Sequence, residues 1–157
     1  MRWLEHRIPP PVIDLAGIGL MWWLARTFPA AQLWPTGAYP FGVGAAIGLA
    51  LAGGCIALAG VVEFRRARTT INPLAPQRAS TLVQTGVFAI TRNPMYLGML
   101  MVLIGWAAYL GNAASLVVLP LFVWVLNALQ IQPEERILRE RFGEHFTRYA
   151  ERVRRWV

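Results

Sequence analysis

Residues Thr85 to Gly98, T-G-V-F-A-I-T-R-N-P-M-Y-L-G, decide the fold, because polar groups and a proline there open directly into a long apolar run. Asparagine can cap a helix, and proline at the first helical position loses no needed hydrogen bond, so Asn93-Pro94 predicts a helix start. The amides of Met95 and Tyr96 then point out of its first turn. Such an end attracts anions, a carboxylate included, and Tyr96 adds a hydroxyl within one turn. Plain capping is the alternative reading of the same residues. The run that follows is apolar enough to enter a bilayer, which puts the polar chemistry at a membrane surface.

Composition points the same way. The chain has 157 residues, of which 56% are hydrophobic and seven are Trp, and its mean hydropathy is +0.44. That is one domain with more apolar sequence than a soluble core of this size needs. All 15 basic residues are arginine against eight acids, a formal charge of +7. The arginines fall between apolar blocks and form no continuous basic face, so anionic lipid headgroups rather than nucleic acid are the expected counterions. Cys55 is alone, which excludes an intrachain disulfide framework or a Cys-rich metal site. His6 and His145 stand far apart, and no His-x-x-x-His, Cys-x-x-Cys or G-x-x-x-x-G-K-[ST] pattern occurs, so zinc hydrolase and P-loop chemistry are excluded and no metal is expected. His145 reads as an interfacial residue. Gly42-Val43-Gly44 has no preceding strand and is no dinucleotide fingerprint.

Four apolar blocks, Val12–Phe28, Phe41–Val62, Met95–Leu110 and Ala113–Ile131, predict an all-α integral membrane protein with four transmembrane helices. A span needs about 20 residues, so the first and third are short and rely on their flanks or on thinned lipid. The first lacks an A-x-A-like cleavage site and reads as a retained helix. Only Gly111 and Asn112 separate the third and fourth, which requires a tight antiparallel hairpin. Arg2 and Arg7 precede the first block, Arg65, Arg66, Arg68, Arg78 and Arg92 lie between the second and third, and seven arginines follow the fourth. The stretches 29–40 and 111–112 carry no charge. By the positive-inside rule both termini and the 63–93 loop are cytoplasmic. Gly44, Gly48 and Ala52 recur every four residues, a small-residue stripe that suits packing within the chain or a homodimer.

From Glu134 to Val157 the character changes. Leu138, Phe142, Phe146, Tyr149, Val153 and Trp156 fall on one face of a helix and most arginines fall off it. This predicts a basic amphipathic helix, bent at Gly143, lying on the interface or folded over the helix ends. The whole chain, 1–157, is one membrane domain, whose cytoplasm-facing half, 63–157, contains the hairpin 95–131 and the C-terminal cover 134–157. Pro133-Glu134-Glu135 reads as the start of the C-terminal helix. Glu135 has Arg139 four residues on as a routine surface partner. Glu134 has Leu138 there and no local partner, so Glu134 is expected to turn inward. A carboxylate-binding helix end and a carboxylate at opposite ends of one hairpin suit an amino-acid zwitterion, and S-adenosylmethionine presents one together with a sulfonium cation.

At these residues the chain resembles the isoprenylcysteine carboxyl methyltransferases and their bacterial and phospholipid-methylating relatives. The resemblance covers about residue 63 to the C-terminus. It is carried by T-T-I-N-P (Thr69 to Pro73), T-L-V-Q-T-G-V-F (Thr81 to Phe88), R-N-P-M-Y-L-G (Arg92 to Gly98), P-E-E-R-I-L (Pro133 to Leu138) and F-G-E-H-F-T-R-Y (Phe142 to Tyr149). It implies a bacterial inner-membrane enzyme that binds S-adenosylmethionine in a cytoplasmic pocket roofed by the C-terminal segment and takes a lipophilic or lipid substrate from the bilayer. Its implied cofactor-lining residues are Thr81, Leu82, Val83, Phe88, Asn93, Pro94, Met95, Tyr96 and Glu134, with Glu134, Tyr96 and Arg92 expected at the catalytic centre. Asn93 stands where eukaryotic members have His, and Phe88 where they have Tyr. Gln130 stands where they have the arginine that binds the substrate carboxylate, so Gln130 is the expected acceptor-side residue and selection for carboxylates should be weak. A phospholipid amine or thiol methyltransferase is the second reading, and a noncatalytic four-helix membrane protein the third.

Orientation is testable by cysteine labelling in a Cys55→Ala background. Cysteines from Gly37→Cys and Asn112→Cys are expected to react from the outside and one from Arg78→Cys only from the cytoplasm. Reaction of the position-78 thiol from the outside alone would overturn the topology.

Overall fold

In the computed structural model, residues 8–38, 40–68 and 81–157 are described, and every regular element among them is helical. Arg2, Arg7, Arg78 and the T-T-I-N-P stretch lie outside the described residues. The helices are α1 (Pro10–Thr27), α2 (Phe41–Arg66), α3 (Pro94–Leu110), α4 (Val118–Leu126), α5 (Gln132–Phe142) and α6 (Glu144–Arg152). Two helical runs, Phe41–Arg66 and Ala113–Phe142, are long and apolar enough to cross a membrane, and the apolar α3 is shorter.

The closest helix contact is α2 on α3, and it depends on glycine. A Cβ at Gly53 would lie 2.5 Å from the Gly98 carbonyl oxygen, and one at Gly98 would lie 2.5 Å from that of Gly53. Above and below, Gly60 meets the Pro94 ring and Gly105 meets the Ala46 backbone. Small residues at these positions let the backbones themselves touch, which yields dispersion contacts unavailable to larger side chains. The stripe expected to pack within the chain is a different one. A Cβ added at Gly44 or Gly48 would meet nothing within 4 Å, and Ala52 is exposed. A spacing of four recurs on both faces of α2, and only the face bearing Gly42, Gly53 and Gly60 meets α3.

The other side of α3 packs on α1 and α4 around Met21, Leu103, Phe122 and Leu126. Trp106 Nε1 donates to the Ile18 carbonyl at 3.2 Å, tying α3 to α1. The expected tight hairpin is present. Gly111 ends α3 at φ 61°, and Asn112 caps a 3₁₀ turn, Ala113–Val117, through its side-chain oxygen. The Asn112 amide also donates to the Phe28 carbonyl at 2.9 Å, and Trp34 Nε1 to the Ala108 carbonyl at 2.9 Å. These bonds satisfy polar groups at this end of an apolar bundle.

Pro133 stands in the first turn of α5, as expected, but α5 is no separate helix, since α4 runs into it through a π-turn, Asn127–Ile131. Proline removes an amide and presses on the carbonyl four residues back. A wider turn, here with the Gln132 amide bonded to the Asn127 carbonyl, relieves both without a break. Gly143, at φ 53° and ψ −125°, does break the chain, and α6 turns back. The stripe beyond it splits: Phe146 and Tyr149 are helical, whereas Val153 caps α6 in extended conformation and Arg154 bridges Thr91 in parallel.

Gly98→Ala is expected to cost about 1–3 kcal/mol of stability by forcing α2 and α3 apart. Gly44→Ala and Gly48→Ala should stay within about 0.5 kcal/mol. Thermal unfolding in detergent reads the contrast, and equal effects at the three positions would contradict the packing.

Candidate functional site

Tyr96 and Glu134 meet across the hairpin, the Tyr96 hydroxyl donating to Glu134 Oε1 at 2.6 Å. Tyr96 is buried in the first turn of α3, and Glu134 is partly buried just past the π-turn. Among the described residues no arginine forms an ion pair with Glu134. Its carboxyl group therefore has a hydroxyl partner and, among the described residues, no cation.

Glu135 is the opposite case, and it corrects the expected surface pair with Arg139. It is only 8% exposed. Arg155 grips it with two bonds, Nε to Oε1 at 2.9 Å and Nη2 to Oε2 at 2.8 Å, and Arg92 Nη2 adds a third contact to Oε1 at 3.1 Å. Arg139 instead lies over the Phe146 ring, 5.8 Å from its centroid. A buried carboxylate needs cations in fixed geometry, which the planar arginine fork supplies. Both glutamates thus turn inward, in different directions and with different partners. The bidentate bond holds the Arg155 guanidinium above its ordinary range, while burial pushes that of Arg92 down, opposed by Glu135.

The chain's last residues are pinned to the start of α3. The Arg92 amide donates to the Arg154 carbonyl at 3.0 Å, and the Thr91 hydroxyl and the Asn93 side-chain amide donate to the Arg155 carbonyl at 3.1 and 2.9 Å. Asn93 occupies the cap position without capping by its side chain, because that amide is engaged by the C-terminal strap. The first turn of α3 consequently has no side-chain cap. Behind the strap, Phe146, Tyr149 and Val153 pack with Leu82, Leu138 and Phe142, so the cover is folded over the helix ends. The Tyr149 hydroxyl, pushed up to about 12 by burial with Arg92 pulling the other way, donates to the Phe88 carbonyl at 2.7 Å.

The remaining expected site residues divide by contact. Met95 and Tyr96 stand together in the first turn with Pro94, whose ring faces Gly60 of α2. Phe88 meets Phe64 edge-on at 4.9 Å, Leu82 belongs to the cover, Val83 is buried and Thr81 is exposed. Arg92 serves Glu135 and does not reach Glu134 as an ion pair. Gln130 is fully buried and donates to the Ile8 carbonyl at 2.8 Å. Two anchors escape a reading of the sequence. Glu63 accepts from the Thr85 hydroxyl at 2.7 Å and fixes the turn at Gly86, and Arg155 reaches Glu135 from 20 residues away. Neither pair has a helical spacing to reveal it.

A family model described as phospholipid methyltransferase matches residues 41–145. An uncharacterized protein of Haemophilus influenzae is 40% identical over 63 residues, 40% of this chain and 100% of that one. Protein-S-isoprenylcysteine O-methyltransferase B of Arabidopsis thaliana is 31% identical over 93 residues, 59% of this chain and 47% of its own length. The Saccharomyces cerevisiae protein-S-isoprenylcysteine O-methyltransferase is 36% identical over 72 residues, 46% of this chain and 30% of its own length. The alignments span about half or less of the named methyltransferases. No solved structure matches. The family match runs from the start of α2 into α6 and includes both Tyr96 and Glu134, so the chain belongs to the phospholipid methyltransferase family.

Proposed function

We propose that this chain is an S-adenosylmethionine-dependent integral-membrane methyltransferase acting on a lipophilic small molecule or lipid. The observation that carries the reading is the contrast between the glutamates: Glu135 is neutralised by Arg92 and Arg155, whereas Glu134 keeps a hydroxyl partner and no cation among the described residues. A carboxylate held this way fits the positive groups of S-adenosylmethionine. The uncapped first turn of α3 and the unpartnered Nε of Arg92 fit its carboxylate.

When bound, the cofactor supplies an electrophilic methyl group on sulfur. The chain's own residues bind and orient. Tyr96 fixes the Glu134 side chain through its short hydrogen bond, Glu135 locks the C-terminal strap, and the strap with α6 excludes water from the start of α3. Proximity and exclusion of water can together account for roughly 7–11 kcal/mol of a barrier. Prenylcysteine is disfavoured as acceptor by Gln130, and a phospholipid amine or thiol is the second reading because the Gln130 Oε1 has no donor among the described residues.

Four spans, with both termini and the 63–93 region cytoplasmic, complete the proposal, in a bacterial inner membrane. Outward residues such as Leu15, Trp22, Ile47, Leu51, Leu58 and Trp124 are exposed, while Asn112, Ser115 and Gln130 are inside. Apolar residues outward and polar ones inward suit lipid as the solvent.

Calorimetric titration of the purified protein with S-adenosylmethionine tests the site. Glu134→Ala and Tyr96→Phe are each expected to weaken binding by about tenfold or more at unchanged helicity. Glu135→Ala should act chiefly by lowering the melting temperature. Unchanged affinity in Glu134→Ala would overturn the assignment, and no binding by the wild type would favour the noncatalytic reading.

A further inference from the structure

Glu63 is the one acidic residue of α2, and it stands in the last turn of that helix. Its carboxylate meets a segment 22 residues farther along the chain, where Oε2 accepts from the Thr85 hydroxyl at 2.7 Å. The Gly86 backbone rests on the same carboxylate: a Cβ there would lie 2.8 Å from Glu63 Cδ and 2.9 Å from Oε1. Gly86 also takes φ 59°, so space and conformation both keep this position glycine. The Glu63 side chain is 14% exposed, whereas that of Arg66, which donates to Oε1 at 3.1 Å, is 74% exposed. A pair with so exposed an arginine adds little, which leaves the Thr85–Gly86 turn as the carboxylate's main partner.

This turn carries more than itself. It opens the 3₁₀ turn Gly86–Ala89, whose Phe88 ring meets that of Phe64, the next residue of α2, at 4.9 Å. The Phe88 carbonyl accepts from the Tyr149 hydroxyl at 2.7 Å, and Gln84 Oε1 accepts from Arg152 Nη2 at 3.1 Å, so α6 is attached on both sides of Thr85–Gly86. The Thr91 amide donates to the Val87 carbonyl at 3.1 Å, and Thr91 and Asn93 in turn hold the C-terminal strap. One turn before Glu63, a Cβ at Gly60 would lie 2.9 Å from the Pro94 ring. Gly60, Glu63 and Phe64 thus seat the chain from Thr85 to Pro94 against α2, and Tyr96 follows two residues later. Whatever fixes this seat also fixes the cover and the start of α3.

We propose that Glu63 is a positioning residue of the Tyr96–Glu134 site: its carboxylate seats the Thr85–Ala89 turn and, through that turn, holds α6 in place over the start of α3. It acts through the turn and not on the reacting groups. A site is only as well ordered as the residues that support it, so a loosened seat is felt as weaker binding. The consequence for S-adenosylmethionine rests on the methyltransferase reading, whereas the seating itself does not. The Thr85 hydroxyl needs an acceptor and no charge, so an amide oxygen at position 63 serves in place of the carboxylate.

The full chain in detergent carries the test, read by S-adenosylmethionine affinity and by amide hydrogen exchange over residues 85–93 and 144–152. Glu63→Ala and Thr85→Val are each expected to weaken binding about tenfold and to speed exchange in both stretches, while the melting temperature moves by no more than a few degrees. Glu63→Gln keeps an acceptor for Thr85 and should restore wild-type affinity, which separates seating from a general loss of stability. The double variant Glu63→Ala/Thr85→Val should be no worse than either single one, because both remove the same contact. Unchanged affinity and exchange in Glu63→Ala, additive losses in the double variant, or a Glu63→Gln protein as impaired as Glu63→Ala would each overturn the proposal. Faster exchange over 144–152 in Glu63→Ala, in a protein whose wild type fails to bind S-adenosylmethionine, would support the seating and sink the methyltransferase reading, so the two fail separately.

Discussion

The Glu135 carboxylate, held between Arg92 at the entry to α3 and Arg155 near the chain's end, is the contact on which the rest of the site depends. It joins three segments that share no helix: α5, the cap of α3 and the C-terminal strap. Breaking such a pair from one side leaves buried charge uncompensated, which is more damaging than the pair's net contribution would suggest. With Glu135 so occupied, its neighbour is left to a different task. Glu134 leaves the helix in another direction and, among the described residues, finds the Tyr96 hydroxyl alone. A structural carboxylate and a chemically available one thus sit side by side, distinguished by their partners and not by their residue type.

The same contrast runs through the bundle. Where α2 and α3 meet, glycines let the backbones touch. At the hairpin end, Asn112 and Trp34 spend their polar atoms on carbonyls of neighbouring elements. Asp14, Asn127 and Gln130 each keep a buried oxygen without a donor among the described residues.

Much of this was legible in the sequence because membrane helices obey short-range rules. Apolar runs and Asn93-Pro94 located α1 to α3 to within a few residues, and Gly111-Asn112 required the hairpin. The family resemblance names Tyr96 and Glu134 among the same expected residues, and their side chains meet at 2.6 Å. What could not be read came from contacts between distant segments. A spacing of four pointed Glu135 to Arg139, but burial demanded a bidentate partner that only chain reversal at Gly143 could bring. Proline at position 133 does mark the first turn of α5, but the π-turn that joins α5 to α4 has no sequence signal of its own. The Gly44 stripe had the right period on the wrong face. Asp14, an acid within the first apolar block, carried a signal that the block's hydrophobicity hid.

Transfer of labelled methyl from S-adenosylmethionine into native membrane lipids, with and without the purified protein, tests the central claim most directly. The account predicts that label enters the organic-soluble fraction, that S-adenosylhomocysteine suppresses it, and that it is lost in a protein carrying Glu134→Gln while its fold persists. Undiminished transfer by Glu134→Gln, or no labelled product from a wild-type protein that binds the cofactor, would contradict it.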